Sequence, residues 1–598
     1  MSAQTLITEH LDLWMQAVTQ KSTAGRGRNG KVELTGIKKL RELILELAVR
    51  GKLVEQDPDD EPASVLLEQV ANEKAQLAKV GKIKKSKKLP DIDEEEKPFG
   101  LPDGWLWARM EAISEYIQRG KGPKYAETGG VRVVSQKCVQ WSGFDLSVSR
   151  FVDDSSLDGY QDERYIRDGD VLWNSTGTGT VGRAIVIKKP QYSIVADSHV
   201  TIVRLVIAEP RYVLNYISSP SVQHRIEPGH ENSLVSGTTK QVELNSGSVK
   251  LLPVPLPPLK EQNRIVQKVD ELMALCDRLE QYTSDQLDAH ETLVDTLLGT
   301  LTQSANATEL ADNWVRLSEH FDTLFTTEQS IDKLKQTILQ LAVMGRLVEQ
   351  DAGDESAHTL LNRLTDSRQA WLHEKSSSNP ECKTMLRKLG KLRPAQPPFP
   401  LPRGWQPAHL IQLCRMLVDC HNKTAPYVEE GIPIIRTSNI RGRRFNFNEI
   451  KYVNEETYAY WSRRSPPEPG DIIFTREAPM GEAAIIPEGR TWCLGQRTML
   501  IRPMHEHINN SFLLLALTEP HLLERAAEKA IGSTVKHLRV GDVENLVVPV
   551  PPLAEQHRIV QKVDELMAIC DQLKERLNQA SNTRCQLAGA IVEQGLSV

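Results

Sequence analysis

The side chains in this sequence that are best suited to binding another molecule are arginines grouped with small polar residues. The stretch RTSNIRGRRF begins at Arg436 and contains four arginines and no acidic residue. A guanidinium can form two parallel hydrogen bonds with guanine, and an asparagine or glutamine amide can do the same with adenine. The interleaved Ser, Thr and Asn residues can add hydrogen bonds to phosphate oxygens. A single stretch of this kind is more often a solvated loop, so its meaning depends on a second occurrence.

A second basic stretch lies between Ile113 and Gln140, where five basic residues stand against two acidic ones. The basic residues are Arg119, Lys121, Lys124, Arg132 and Lys137, and the acidic ones are Glu115 and Glu127. The chain as a whole has a net charge of −6, with 79 acidic residues and 73 lysines and arginines. A protein that displaces counterions from DNA therefore needs local positive charge. The two basic stretches could supply it, and we favour nucleic acid as the ligand.

Several motifs that carry chemistry in other proteins are incomplete here. Gly177, Gly179 and Gly182 match the GxGxxG pattern, but the residues that follow, RAIVIKK, predict a strand where a dinucleotide site requires a helix. We interpret these glycines as a tight loop near DNA. The sequence has no GxxxxGKS or GxxxxGKT phosphate loop, no Asn-Pro-Pro-Tyr clamp for a flipped adenine, no HExxH motif and no CxxC pair. It therefore predicts no catalytic residue, no cofactor and no metal site, and hence a protein that is not an enzyme.

The elements that must position these stretches occur twice in the sequence. VPLPPLKEQNRIVQKVDELMALCDRLE begins at Val254, and VPVPPLAEQHRIVQKVDELMAICDQLK begins 294 residues later, at Val548. A second pair, ILELAVRGKLVEQD from Ile44 and ILQLAVMGRLVEQD from Ile338, has the same offset. Ordered matches at one fixed offset predict an internal duplication.

Both copies of the first motif predict a long helix that follows an extended segment. Apolar residues recur at steps of four and three from Ile265 to Leu279 and from Ile559 to Ala580, a narrow seam typical of coiled coils. The prolines before each helix disfavour helical backbone in the residue that precedes them. Glu261 and Glu555 lie near the two helix starts, where a negative charge complements the helix dipole.

Residues 101–253 and 401–547 have a different character from the helices. Short β-branched runs (VRVV, DVLW and RAIVI in the first segment; IPIIR, DIIF and AAIIP in the second) alternate with glycines and prolines. They predict strands joined by irregular loops. The two segments share this framework but differ in their loop residues, as two readers of different sequences would.

These patterns predict a mixed α+β fold with two globular α/β domains, joined by long antiparallel coiled-coil helices in a pseudo-twofold internal duplication. The predicted domains are an N-terminal helical region with a charged spacer (1–100), a first globular domain (101–253), a central helical region (254–400), a second globular domain (401–547) and a C-terminal coiled-coil helix (548–598). No run of eighteen apolar residues and no basic N-terminal region occur, so we expect neither a membrane span nor a secretory signal, and a cytoplasmic location.

The sequence resembles the specificity subunits of type I restriction–modification enzymes, over essentially its whole length. The resemblance rests on the duplicated PLPPLKEQNRIVQKVDELM and PVPPLAEQHRIVQKVDELM, on the loops GTTK and GSTVK, and on the strands GDVLW and GDIIF. TGIKKLRELILELAVRGKLVEQD places it near the subgroup with a long helical region before the first recognition domain. The resemblance implies that each target recognition domain reads one half of a bipartite, asymmetric site in double-stranded DNA. It also implies that the helices set the spacer and dock two modification subunits, which methylate adenine, and that ATP-dependent restriction subunits join the complex.

The resemblance further implies which residues contact DNA. In the first domain these are Ser135, Gln136, Lys137, Asn174, Thr176, Thr178 and Arg183, with Lys240 on the backbone. In the second they are Arg436, Thr437, Ser438, Asn439, Arg441, Arg443, Thr475, Arg476 and Lys536. The two domains depart from strict symmetry, because Lys240 lies four residues before Leu244 whereas Lys536 lies two before Leu538.

Two other classes of protein compete with this interpretation. A coiled-coil scaffold that joins only proteins would explain the helices and the acidic total charge, but not the locally basic globular segments. A fused methyltransferase–specificity chain would require a motif for S-adenosylmethionine and an adenine clamp, which the sequence lacks.

Overall fold

The computed structural model describes residues 3–21, 31–84, 88–177, 179–227, 229–238, 241–304, 307–529 and 537–597. The chain forms two compact units, the first made of Met1–Gln286 with Gln579–Val598 and the second of Leu287–Asn578. Each unit contains one globular domain, a group of shorter helices and parts of both long helices.

Along the sequence, the helices of the first unit lie before, within and after its globular domain. They are α1 (Ala3–Thr8), α2 (Leu11–Gln16), α3 (Thr35–Val49), α4 (Ala63–Lys79), α5 (Pro210–Ser218), α6 (Pro220–Gln223), α7 (Ser246–Leu251) and α8 (Leu259–Gln303), the last of which continues into the second unit. In α3, Ile37, Leu40 and Ile44 recur at helical spacing and are fully buried. Gly36 allows α2 to approach α3, because a Cβ at this position would lie 2.2 Å from the carbonyl oxygen of Trp14.

The strands of the first unit form small sheets. They are β1 (Thr19–Lys21), β2 (Lys31–Glu33), β3 (Leu106–Arg109), β4 (Ser114–Arg119), β5 (Tyr125–Ala126), β6 (Val131–Val134), β7 (Val139–Gln140), β8 (Gly143–Phe144), β9 (Arg150–Val152), β10 (Val171–Asn174), β11 (Ala184–Val186), β12 (Ser193–Ala196), β13 (Val200–Leu205), β14 (Val235–Thr238), β15 (Gln241–Leu244) and β16 (Pro253–Leu256). One antiparallel sheet has the order β11-β10-β13-β4, and a second has the order β12-β6-β9-β5, in which β6 and β12 are parallel. The predicted strands VRVV and DVLW are confirmed as β6 and β10.

The helices of the second unit repeat much of this arrangement. They are α9 (Ala307–Glu319), α10 (Phe321–Leu324), α11 (Glu328–Val343), α12 (Ala357–Lys375), α13 (Pro380–Leu389), α14 (Leu410–Leu413), α15 (Glu455–Trp461), α16 (Asn510–Leu517), α17 (Pro520–Lys529), α18 (Val540–Glu544) and α19 (Leu553–Ser597), the last of which ends in the first unit. Gly345 follows α11 and Gly51 follows α3, and both have a φ of 69°, the left-handed conformation that commonly ends a helix.

The strands of the second unit confirm the duplication. They are β17 (Gln406–His409), β18 (Cys414–Asp419), β19 (Ile432–Ile435), β20 (Ile440–Arg441), β21 (Arg444–Phe445), β22 (Lys451–Val453), β23 (Ile472–Thr475), β24 (Ala483–Ile485), β25 (Cys493–Leu494), β26 (Thr498–Pro503) and β27 (Val547–Val550). The four-stranded sheet has the order β24-β23-β26-β18, which is the order of the matching strands in the first unit. The second sheet, β25-β19-β22, again contains one parallel pair, β19 with β25.

The ion pairs between arginines and aspartates of these sheets are duplicated as well. Arg204 on β13 donates two 2.7 Å hydrogen bonds to the carboxylate of Asp170, which precedes β10. Arg502 on β26 donates two 2.8 Å hydrogen bonds to Asp471, which precedes β23. The aspartate of each motif, GDVLW and GDIIF, is therefore the acidic partner in an internal ion pair.

The extended segments before the two long helices form strands that contain some of the prolines, Pro253 and Pro255 in β16 and Pro549 in β27. β16 pairs antiparallel with β3, and β27 pairs antiparallel with β17. The helices that follow, α8 and α19, each contain 45 residues, which confirms the two long helices predicted from the repeated motif. At 1.5 Å per residue each is about 67 Å long. Among the described residues, no helix combines the length and the apolar character that crossing a membrane requires.

The apolar seams of the long helices are buried within their own units. Ile265, Val269 and Cys276 of α8 belong to the core of the first unit. Ile559 and Val563 of α19 belong to a core of the second unit. At least part of each seam therefore packs against shorter helices and the globular domain, and the pairing of the two long helices with each other stays a prediction.

Candidate nucleic-acid interface

The residues predicted to contact DNA cluster in equivalent loops of the two globular domains. The first loop, residues 135–144, follows β6 and contains the hairpin β7–β8; the second, residues 436–445, follows β19 and contains the hairpin β20–β21. Cys138 N donates to Ser135 O at 2.9 Å, and Asn439 N donates to Arg436 O at 2.9 Å. This matching bond shows that Ser135 and Arg436 are equivalent positions.

The first loop is held by a buried asparagine. Asn174, the last residue of β10, is fully buried, and its Nδ2 donates to the carbonyl oxygens of Gln136 at 3.1 Å and Val139 at 3.2 Å. Arg183 donates hydrogen bonds to Oε1 of Gln140 and to the carbonyl oxygen of Gly179. The side chain of Asn174 is enclosed by protein and positions the loop in this structure, and its contact with DNA stays a prediction.

The second loop is held by different residues. Asn439 is buried, accepts a 3.1 Å hydrogen bond from Arg436 N and donates a 3.0 Å hydrogen bond to Asn446 O. Thr475, the last residue of β23, is fully buried and donates to Pro479 O at 2.6 Å. Asn439 and Thr475 therefore position the second loop in this structure, as Asn174 positions the first, and their contact with DNA stays a prediction.

Within this common framework, the two domains have side chains of opposite charge at one equivalent position. Asn174 N donates to Arg183 O, and Thr475 N donates to Glu482 O, each at 2.8 Å, so Arg183 and Glu482 are equivalent. Glu482 Oε2 accepts a 2.9 Å hydrogen bond from Gly442 N at the tip of the second hairpin. An arginine thus supports the first hairpin where a glutamate supports the second.

The other predicted contact residues of these loops reach solvent to different degrees. Lys137, Ser438 and Arg441 are exposed, and Ser135, Gln136, Thr176, Arg183, Arg436, Thr437, Arg443 and Arg476 are partly exposed. Arg441 donates to the carbonyl oxygens of Thr437 and Ile440 through a single nitrogen, Nη1. A guanidinium has five N–H donors, so most of those of Arg441 stay free for a ligand.

Arg443 has a different environment from Arg441. It lies at the tip of the second hairpin with a φ of 67°, next to Gly442 with a φ of 56°, the backbone of a tight two-residue turn. Burial lowers the pKa of its guanidinium, and the carboxylates of Asp564 and Asp571 on α19 act in the opposite direction. Part of the charge of Arg443 is therefore balanced within the protein, which the sequence did not indicate.

Sequence reasoning missed several side-chain contacts in the two globular domains. His199 Nδ1 and Thr176 Oγ1 share a 2.5 Å hydrogen bond, and Arg119 forms an ion pair with Glu243 of β15. In the second domain Phe445, Phe447 and Trp492 stack, with Phe447 and Trp492 ring centroids 5.3 Å apart. Periodicity gives no sign of such contacts because they join distant parts of the chain.

Three predicted residues, Thr178, Lys240 and Lys536, lie outside the described residues. Leu244 N donates to Ser175 O at 2.8 Å, and Leu538 N donates to Arg476 O at 3.1 Å, so the two leucines are equivalent. Lys240 and Lys536 stand at different distances before them and are not equivalent positions in the sequence. Within the described ranges, no group of three or more His, Cys, Asp or Glu residues could hold a metal ion. The glycine loop that contains Gly177 and Gly182 leads into β11, as predicted, and not into a helix.

Comparison with known proteins identifies similar chains. Residues 134–289 and 402–581, more than half of the chain, match the model of the type I restriction modification DNA specificity domain. The chain is 37% identical over 610 aligned positions to the Escherichia coli type I restriction enzyme EcoAI specificity subunit, with 100% of both chains covered. It is 35% identical over 631 positions to the Escherichia coli EcoEI specificity subunit, again with 100% of both covered. Among solved structures, the HsdS subunit from Thermoanaerobacter tengcongensis aligns with 83% of this chain and 98% of its own, at 18% identity and a TM-score of 0.39.

Proposed function

Because this chain belongs to the family of type I restriction–modification specificity subunits, we propose that its two globular domains each read one half of a bipartite, asymmetric DNA site. As a member of this family it is a DNA sequence-specificity subunit and not itself a catalyst. The assignment of one half-site to each domain rests on the two loops described above.

The observation that carries the proposal is one backbone framework with two sets of side chains. Ser135-Gln136-Lys137 of the first loop stand where Arg436-Thr437-Ser438 of the second stand. The amide of glutamine suits adenine and the guanidinium of arginine suits guanine. Two loops of the same shape with different donors and acceptors would read two different half-sites in the same manner.

The long helices would set the distance between these half-sites. Each begins directly after a strand of its globular domain, so the domain and the helix start are joined closely. We propose that α8 and α19 pair antiparallel, and that the unread spacer in the DNA depends on their length. Spacing between half-sites is a geometric property of dimeric DNA readers, and here one chain carries both halves.

The same helices offer matching surfaces for two modification subunits. Leu293 on α8 is 49% exposed and Leu587, 294 residues later on α19, is 51% exposed. Exposed apolar side chains at equivalent positions of the two helices would suit two identical partners. The modification subunits would bind S-adenosylmethionine and methylate adenine, and restriction subunits would join the complex, which acts on DNA in the cytoplasm.

The test is to assemble the chain with its modification subunits and to map the methylated adenines in DNA. We expect one bipartite recognition sequence. Replacing residues 101–253 by the matching domain of a relative should change the first half-site and leave the second half-site and the spacer unchanged. A replacement that alters both half-sites, or neither, would contradict the assignment of one domain to each half. The unexchanged chain, prepared in the same way, is the control.

A further inference from the structure

An exposed tryptophan lies at the tip of the first hairpin. Trp141 and Ser142 form the turn between β7 and β8, and Trp141 is 54% exposed. The other nine tryptophans, all of them in described ranges, are buried or only partly exposed. A lone exposed apolar residue is ordinary on a protein surface. The position of this one, on the loop that contains Gln136 and Lys137, is what calls for an explanation.

The hairpin that carries Trp141 is held rigidly from both sides. Its first strand is fixed by the bond from Asn174 to Val139 O, and Gln140 Nε2 donates to Lys137 O at 2.7 Å. Asp145 N, just after β8, donates to Cys138 O at 2.9 Å. A tip that is ordered before binding loses little conformational entropy on binding.

The charges around the tip suit DNA. Lys137 is exposed, and Arg183 contacts the hairpin through Gln140. The nearest acidic residue in the sequence, Asp145, accepts two hydrogen bonds from Ser147, which keeps its carboxylate engaged within its own turn. A two-stranded β-ribbon fits the major groove of B-DNA, where the apolar group on display is the C5-methyl of thymine.

We propose that Trp141 is a specificity-determining residue, whose indole packs against a thymine methyl group in the major groove of the first half-site. This inference rests on the proposed function. The second domain has Gly442 at the equivalent tip position, and Arg443 beside it, so it has no apolar side chain for such a contact. This difference between the two domains predicts that a hairpin tip contacts a thymine methyl group in the first half-site only.

The experiment uses the complete complex with its modification subunits and the recognition sequence found by methylation mapping. Each thymine of the first half-site is replaced in turn by deoxyuridine, which removes only the methyl group. At one position we expect the affinity of the parent complex to fall about three- to tenfold, the effect of losing one buried methyl group or a little more. Trp141→Ala should bind more weakly to the thymine site and lose most of the difference between thymine and uracil at that position. Trp141→Phe should retain the difference.

The controls separate this inference from the proposed function. Deoxyuridine in the second half-site should affect the parent and Trp141→Ala equally. Three results would overturn the inference while leaving bipartite reading intact. They are equal binding of thymine and uracil at every position of the first half-site, a first half-site without thymine, and an unchanged ratio of the affinities for thymine and uracil in Trp141→Ala. Failure of Trp141→Ala to assemble with modification subunits would instead place Trp141 at a protein contact. Absence of any bipartite methylated sequence would overturn the proposed function, and this inference with it.

Discussion

The indole nitrogen of Trp105 donates a 2.9 Å hydrogen bond to Oε2 of Glu261, in the first turn of α8. Trp405 makes the same bond to Glu555 of α19 at 3.0 Å. Both glutamates are 1% exposed. Each globular domain is thus fastened to the start of the long helix that follows it by an internal hydrogen bond. The sequence had suggested only that these glutamates complement the helix dipole.

The first prediction concerns the charge of this buried glutamate. Burial raises the pKa of Glu261 above its ordinary value of 4.5, and the bond from Trp105 opposes this. A raised pKa in the folded state contributes stability that is fully present below the ordinary value and is lost as the pH rises through the raised one. Glu261→Gln keeps an oxygen acceptor for Trp105 but does not titrate. At neutral pH we expect Glu261→Gln to unfold at a temperature equal to or higher than that of the parent. This difference in unfolding temperature should disappear as the pH falls towards 4.5.

Two further variants control this prediction. Glu261→Ala leaves the indole N–H without a partner and should lower the free energy of unfolding by about 1–3 kcal/mol. Glu555→Gln should behave like Glu261→Gln, because burial also raises the pKa of Glu555. A Glu261→Gln protein that is much less stable than the parent at neutral pH, in thermal unfolding followed by circular dichroism, would contradict the account.

The second prediction concerns the buried ion pair of Arg204 and Asp170. Arg204→Met leaves the carboxylate of Asp170, which is fully buried, without its counter-ion. Breaking a buried pair in this way costs about 3–5 kcal/mol. Adding Asp170→Asn removes the uncompensated charge and should restore much of the loss in urea unfolding. If the double variant were no more stable than Arg204→Met, the charge of Asp170 would not be the cause.

The duplication, the long helices and the main strands could be predicted because they depend on patterns within short stretches. RIVQKVDELMA is identical in both copies, and β-branched runs such as VRVV form strands wherever a core covers them. The roles of Asn174, Asn439 and Thr475 could not be predicted. A polar residue in a basic or glycine-rich stretch looks the same in sequence whether it faces solvent or holds a loop, and only tertiary packing decides which. Arg443 is a similar case, since two of the carboxylates that influence it, those of Asp564 and Asp571, lie more than a hundred positions away.

The third prediction tests the second loop. Arg441 is exposed and retains free donors, so Arg441→Ala should weaken binding of the complex to its recognition sequence by about 1–3 kcal/mol if a base contact is lost. Binding to unrelated DNA should change much less. Arg403→Ala, which removes an exposed arginine from the turn before β17, is the matched control. Equal losses for specific and unrelated DNA would show that Arg441 contacts phosphate and not a base edge.

The fourth prediction tests the first loop through its internal support. Asn174→Ala removes the hydrogen bonds to the carbonyl oxygens of Gln136 and Val139, which should lower the stability of the first unit by about 1–3 kcal/mol. It should also relax the sequence preference of the first half-site, because the loop loses its fixed shape. Methylation mapping should show the second half-site unchanged. Relaxation of both half-sites alike would indicate a general loss of folding.

The fifth prediction follows from the acidic total charge. With a net charge of −6, the chain alone should bind DNA weakly, and the modification subunits should supply much of the contact with phosphate. The logarithm of the affinity falls linearly with the logarithm of salt concentration, and the slope grows with the number of phosphates neutralised. The slope measured for one duplex should therefore be steeper for the complex than for the chain alone. Tight, specific binding by the isolated chain would contradict this division of contacts. A complex without DNA affinity even at low salt would fit a protein scaffold, because a reader of base edges must first be drawn to the phosphates that surround them.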